Sequence, residues 1–270
     1  MTAPPLAAYT RQIPNTLRID RQGPVLSIEL NTSDQGNVVT EVMLDELLAV
    51  LDEHDPDLRV IVLSGAGEDF CQGGDRTEYA EQLAQDPTGA GIRGSGTKAR
   101  RVCEALANNP AVTIARVQGK VIGAGLALAL SCDLRVGAET ATFRLPELAL
   151  GLPTAWGGIL PRLLNEVGAA TVRELVLTCR SFDAQEARAL SILQKVVPVD
   201  ELDAAVKTWA APVIRRSPTA LRVTKLLFNA HANATRLADI TALDPELMAS
   251  VLATRELAPA ANGRRRGHLI

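Results

Sequence analysis

Apolar residues come in short runs between turn residues over the first half of the chain, whereas beyond Asp183 they recur at three- and four-residue intervals. The first pattern predicts strands and the second helices. Residues 16–19 and 25–30 read as a strand pair around a turn at 21–24. Residues 40–51 carry Val42, Met43, Leu47 and Val50 on one side and read as a helix, ended by Asp55-Pro56-Asp57. Residues 60–63 form a continuous apolar run closed by Gly65-Ala66-Gly67, as a strand buried on both faces should, and 113–117 and 134–136 read as two more central strands. Residues 86–96 hold Pro87, Gly89, Gly91, Gly94 and Gly96, which predicts a loop ahead of a helix over 97–108. Such a loop suits a ligand cover or plain surface equally. Helices are predicted over 184–190, 201–215, 218–233 and 247–257, and no internal repeat is evident.

Composition narrows the class. With 270 residues, 47% hydrophobic and 22% charged, the chain can bury a sizeable core. Aromatic residues are only 3%, so that core must be built from Ala, Leu and Val. A net charge of -3 with both signs interspersed lacks the basic face that nucleic acid requires, so no nucleic-acid partner is expected. Lys98, Arg100 and Arg101, and Arg264-Arg265-Arg266, read as solvated surface, with phosphate binding as the alternative. Cys71, Cys103, Cys132 and Cys179 form no CxxC and read as small buried residues in a reducing compartment. Met1-Thr2-Ala3-Pro4-Pro5 lacks the pattern of a signal peptide, and no run reaches the roughly 20 apolar residues of a membrane span. A cytoplasmic protein without a membrane partner is expected. His54, His231 and His268 support neither a metal site nor a Ser-His-Asp triad.

Candidate chemistry concentrates between Ala115 and Leu163. A turn, Gly123-Ala124-Gly125, runs into an apolar helix and supplies backbone N–H donors at its start. Phe143-Arg144-Leu145-Pro146-Glu147 then places one carboxylate among apolar residues, where its pKa should rise towards the range useful for proton transfer. Fixed donors beside a base are what proton transfer next to a thioester carbonyl needs, because the enolate must be held while the proton moves.

These residues carry a resemblance. Arg116-Val117-Gln118-Gly119-Lys120-Val121-Ile122-Gly123-Ala124-Gly125, then Ser131-Cys132-Asp133, Pro146-Glu147, Gly151-Leu152-Pro153 and Gly157-Gly158, resemble the core signature of the enoyl-CoA hydratase/isomerase superfamily, the crotonases. Upstream, Val60 through Gly67 and Asp69-Phe70-Cys71-Gln72-Gly73-Gly74-Asp75 resemble its strand, turn and first oxyanion-hole loop, so the resemblance covers nearly the whole chain. It implies an α/β fold, a crotonase-like spiral of β-β-α units over 1–198 followed by a C-terminal helical trimerisation region over 199–270. It implies a homotrimer or dimer of trimers and an acyl-CoA or acyl-carrier-protein substrate, with no cofactor beyond that thioester carrier. By position it implies the backbone N–H groups of Gln72 and Ala124 as the oxyanion hole and Glu147 as the catalytic residue. Cys71, Gly73, Gly74, Asp75, Gly123, Gly125, Ala127, Trp156 and Gly157 are implied around the substrate. Asp75 also reads as a helix cap, and Trp156 as either a pocket wall or a core filler.

The position of the family's other glutamate is held by Ala127, which cannot move a proton. Hydratases of this kind resemble two-carboxylate machines, and the branch retaining only the glutamate matched by Glu147 shifts a double bond from the 3,4 to the 2,3 position. The leading expectation is therefore an isomerase. A hydratase, lyase or decarboxylase on the same scaffold, or an acyl-thioester binder without catalysis, stands as the alternative.

Overall fold

The computed structural model describes residues 15–53, 55–234 and 243–253. Nine strands and ten α-helices are assigned among them, and two sheets organise the first two thirds of the chain. Strands β1 (Leu17–Gln22) and β2 (Val25–Leu30) form an antiparallel hairpin through Gly23, whose φ of +57° suits a residue without Cβ. β2 then pairs in parallel with β3 (Val60–Gly65), β3 with β4 (Val112–Val117), β4 with β6 (Leu134–Ala138), and β6 with β9 (Lys195–Val197). A smaller sheet holds β5 (Lys120–Ile122), β7 (Thr142–Arg144) and β8 (Phe182–Asp183), with the Phe143 and Phe182 rings stacked at 5.4 Å.

Each turn of chain lays one strand in the large sheet, crosses to the small one and returns through helix. β4, β5 and α4 (Ala124–Leu130) make one such unit; β6 and β7 followed by α5 (Ile159–Glu166) and α6 (Ala169–Thr178) make the next. β3 starts an earlier one, in which Cys71 makes a single parallel bridge to Val121 of β5 before α2 (Arg76–Gln85) and α3 (Ala90–Asn108). This is the spiral of β-β-α units that the resemblance implies.

The central strands β3, β4 and β6 are buried on both faces, which explains their apolar runs, whereas β1 and β2 alternate buried and more exposed residues. Ile61, Leu63, Ala115 and Val117 face a core that includes α1 (Glu41–Leu51) and α3. Their alternates Val60, Val62, Ile114 and Val136 pack against Leu202, Ala205, Val206 and Ala210 of α8 (Leu202–Ile214). The remaining helices are α7 (Ala184–Ala189), α9 (Pro218–Ala234) and α10 (Asp244–Ala253). The described helices therefore match the predicted C-terminal ones, the last starting three residues early and reaching Ala253.

Two sequence readings are corrected by packing. The predicted loop at 86–96 is largely the start of α3, because its glycines serve close contacts: a Cβ on Gly91 would lie 3.3 Å from Gln82 of α2, and one on Gly96 3.0 Å from Pro245 of α10. On α1 the buried side is Met43, Leu44, Leu47, Leu48 and Leu51, while Val42 is exposed. All four cysteines are free and buried, as read. Lys98 is solvated but paired, with Glu41 and Asp45, and Arg100 and Arg101 pair with Glu104 and Asp52. His54, His268, Arg264-Arg265-Arg266 and residues 254–257 lie outside the described residues.

Candidate active site

The site grows out of the junction between the Cys71 loop and β5. Cys71 donates its N–H to Lys120 O at 3.0 Å and accepts from Ile122 N–H at 2.9 Å, which fixes the loop beside the Gly123 turn. Gly125 is required at the contact, since a Cβ there would fall 2.6 Å from Cys71 O. The Cys71 thiol is fully enclosed and its pKa is pushed up to about 12 by burial, so it packs rather than attacks.

Behind the loop, buried Asn37 donates from Nδ2 to Ala66 O and to Asp69 O, both at 2.9 Å, and accepts from Thr32 N–H at 3.0 Å. Buried Gln118 donates to Gly65 O at 2.7 Å. These two side chains hold the turn that delivers the loop, and the sequence reading missed Asn37, whose only local signal is the Gly36-Asn37 turn pair.

Gln72 does not supply a free donor. Its N–H is spent on Gly36 O at 3.0 Å, and its exposed side chain turns over Gly36 to bond Asp69 at 2.7 Å. The chain then twists at Gly73, φ +110°, and Gly74 bridges Val39: Val39 N–H donates to Gly73 O at 2.8 Å and Asp75 N–H to Val39 O at 2.9 Å. In a parallel bridge of this register the central residue's own N–H points away from its partner. Gly74 N–H therefore faces the side on which Cys71 is joined to β5, and it meets no acceptor among the described residues. The N–H expected from sequence, that of Gln72, is therefore occupied, and the unpaired N–H on this loop is that of Gly74, two positions on. Asp75 accepts from Thr77 N–H at 2.7 Å and Glu78 N–H at 3.2 Å, the helix cap read from sequence.

On the facing turn, Gly123 has φ +49° and ψ -110°, which few L-residues adopt, and donates to Arg144 O at 3.0 Å. Ala124 is the first residue of α4, so its N–H lies outside the helix ladder, and no acceptor takes it among the described residues. Ala127, one turn on, is fully buried within the apolar core.

Glu147 closes the arrangement. A Cβ on Gly123 would lie 2.8 Å from Glu147 Oε1, so the carboxylate rests directly on the donor turn. Its backbone carbonyl accepts from Leu150 and Leu152 N–H, at 3.0 and 2.8 Å, which fixes the tight turn. The other oxygen, Oε2, is buried without a hydrogen-bond partner, and burial pushes the Glu147 pKa up to about 7. An unpartnered buried carboxylate beside unpaired N–H groups is the kind of unsatisfied polar group that a bound molecule can complete.

Trp156 is buried and donates from Nε1 to the Tyr79 hydroxyl at 3.2 Å, while a Cβ on Gly157, φ +58°, would meet Cys103 Sγ at 2.6 Å. Tyr79 joins Leu150 and Leu152 of the Glu147 turn in an apolar cluster with Met248, Ala249 and Leu252 of α10.

With this geometry in place, the comparisons are direct. The family model for enoyl-CoA hydratase/isomerase matches residues 20–264. The chain belongs to the enoyl-CoA hydratase/isomerase family. A short-chain-enoyl-CoA hydratase of Clostridium acetobutylicum is 31% identical over 218 residues, 80% of this chain and 81% of that one. Among solved structures, an enoyl-CoA hydratase from Bacillus anthracis superimposes with a TM-score of 0.75 at 30% identity, covering 87% of this chain and 90% of its own. An enoyl-CoA hydratase/isomerase from Marinobacter aquaeolei gives 0.75 at 30%, covering 86% and 88%. The crotonase-type α/β fold and a hydratase-like acyl-CoA enzyme follow from membership, and among the described residues no helix is long and apolar enough to cross a membrane.

Proposed function

We propose that this enoyl-CoA hydratase/isomerase family member moves a double bond in an enoyl thioester from the 3,4 to the 2,3 position, with Glu147 as its one proton carrier. The observation that carries the reading is the contrast between Glu147, whose Oε2 is buried and unpartnered, and the methyl of Ala127. The thioester oxygen sits between the N–H groups of Gly74 and Ala124, with Gly73, Gly123 and Gly125 giving the backbone its close approach and Trp156 and Gly157 bounding the acyl side. Glu147 takes a proton from C2, the negative charge spreads into a dienolate held at oxygen by the two donors, and the same carboxylic acid returns the proton to C4. No atom is gained or lost, so the carrier, CoA or an acyl-carrier protein, is the only other group required. Cys71 and Asp75 support the loop rather than touch the reacting atoms.

Hydration is the second reading, supported by the names of the Clostridium and Bacillus relatives. Paired assays separate the two: double-bond migration in a 3-enoyl-CoA should exceed water addition to the matching 2-enoyl-CoA by a wide margin, and dominant hydration would reverse the assignment. Ala127→Glu should then raise hydration about tenfold or more from its low start, at a folding cost of about 1–3 kcal/mol for overpacking, read by product analysis and a melting curve. Failure of any soluble Ala127→Glu enzyme to hydrate would mean that the second carboxylate is not what is missing.

A base must be ionised to act. With the Glu147 pKa pushed up to about 7, kcat/KM for migration should climb with pH through about 7 and level off above it. A rate that is flat from pH 5 to 9 would point to another base.

The reading includes a homotrimer or dimer of trimers in the cytoplasm. Val223, Leu226, Leu227 and Phe228 of α9 are exposed, an apolar face suited to a second copy, and sedimentation gives the test.

A further inference from the structure

Among the described residues the Tyr79 O–H finds no acceptor. Its hydroxyl oxygen accepts from Trp156 Nε1–H at 3.2 Å. The oxygen lies 2.8 Å from where a Cβ on Gly74 would be, so it stands against the residue whose N–H is unpaired. The tyrosine ring packs with Leu150 and Leu152, the far end of the Glu147 turn. The phenol thus stands between the Gly74 loop and the Glu147 turn, bonded to Trp156, which the proposed function places on the acyl side. Trp156, itself buried, fixes the hydroxyl's orientation by occupying its acceptor side.

We propose that Tyr79 is a specificity-determining residue, donating its O–H to a neutral oxygen, a hydroxyl or carbonyl, on the acyl chain of the substrate beyond C2. This rests on the thioester site proposed above and names the acyl class it takes. A plain alkyl chain would desolvate the phenol without replacing its water, and that penalty is what discriminates. A carboxylate is disfavoured, because the charged side chains acting on the phenol, Glu41, Glu78 and Asp75, are acidic, and the nearby Lys98 is engaged by Glu41 and Asp45. Burial also pushes the Tyr79 pKa up to about 12, so the phenol stays a donor throughout the working range of pH.

The test is equilibrium binding, which does not depend on turnover. Calorimetric titration of the full chain compares hexanoyl-CoA with its 3-, 4- and 5-hydroxy counterparts and with adipoyl-CoA. At least one hydroxyacyl-CoA should bind about tenfold tighter than hexanoyl-CoA, and adipoyl-CoA should bind more weakly than either. In Tyr79→Phe that preference should vanish while hexanoyl-CoA binds as well as before or better; a melting curve monitors folding. Hydroxyacyl ligands binding no tighter than hexanoyl-CoA in the wild type would overturn the proposal without using any variant. So would a Tyr79→Phe loss shared equally by all ligands, which would make the phenol a structural brace or a third donor to the thioester oxygen. Should Tyr79→Phe melt early because Trp156 is left unpaired, Tyr79→Phe/Trp156→Phe removes that orphan and must show the same loss of preference. If binding behaves as expected and migration is absent, the isomerase reading fails and the acyl preference stands.

Discussion

Replacing Glu147 by glutamine is expected to lower double-bond migration by about 10²- to 10⁴-fold, the range lost with a general base, while acyl-CoA binding changes little. The shape of the turn survives because it is made by the Glu147 backbone carbonyl, which glutamine retains. The same substitution should stabilise the protein. A carboxyl whose folded pKa is raised to about 7 is penalised for its charge in the folded state. Below its unfolded pKa both states are protonated and no penalty exists; as pH rises from there to about 7 the unfolded chain ionises first, so stability falls, and above about 7 the loss is complete. It amounts to about 3 kcal/mol at most. Glu147→Gln should therefore melt several degrees higher than wild type at pH 8 and close to it at pH 4. Calorimetry at the two pH values, beside the migration assay, checks both halves. A variant that loses activity and also melts lower at pH 8 would mean that Glu147 has a stabilising partner and is not held ready as a base.

How far the sequence reveals this site depends on the range of the interactions that make it. The carboxylate was legible because its environment is local: Phe143, Leu145 and Leu148 flank it in sequence, and Phe143 and Leu145 are buried. The central strands β3, β4 and β6 were legible because burial on both faces writes an apolar run, whereas the three-residue β9 of the same sheet was not. β5, β7 and β8 were not, since two or three residues show no period. The sequence points to Gln72 on the first loop, whereas which N–H there stays free is decided by Gly36 and Val39, more than thirty residues upstream. Likewise Gly91 and Gly96 signalled a loop, and only the contacts with Gln82 and Pro245 reveal them as helix glycines used for close packing. Local chemistry singles out the buried carboxylate; long-range hydrogen bonding decides which backbone N–H stays unpaired.

The helix α9 is expected to depend on one ion pair. Lys225 is its one buried residue among those described, and its ammonium donates to Asp133 Oδ2 at 2.6 Å and Ala111 O at 2.9 Å. Asn229 adds bonds to Ala107 O and Asn108, both at 3.0 Å, whereas Leu226, Leu227 and Phe228 point outward. The helix is thus held to the core by polar anchors rather than by an apolar seam. Lys225→Met leaves the carboxylate of Asp133 half-buried without its cation, and breaking a buried pair from one side costs about 3–5 kcal/mol. The low end applies, because Asp133 keeps Thr113 N–H at 2.8 Å and the Thr113 hydroxyl at 3.0 Å. Asp133 lies between α4, which begins at the Ala124 donor, and β6, so the loss should reach the site as well as α9. Amide exchange over 218–234 should accelerate by about two orders of magnitude, equivalent to about 3 kcal/mol of local opening. The trimer proposed from the outward face of α9 should weaken in parallel. Pairing Lys225→Met with Asp133→Asn removes the orphaned charge and should recover part of the loss. Exchange rates over 218–234 unchanged in the single variant would show that α9 is held by something other than this pair.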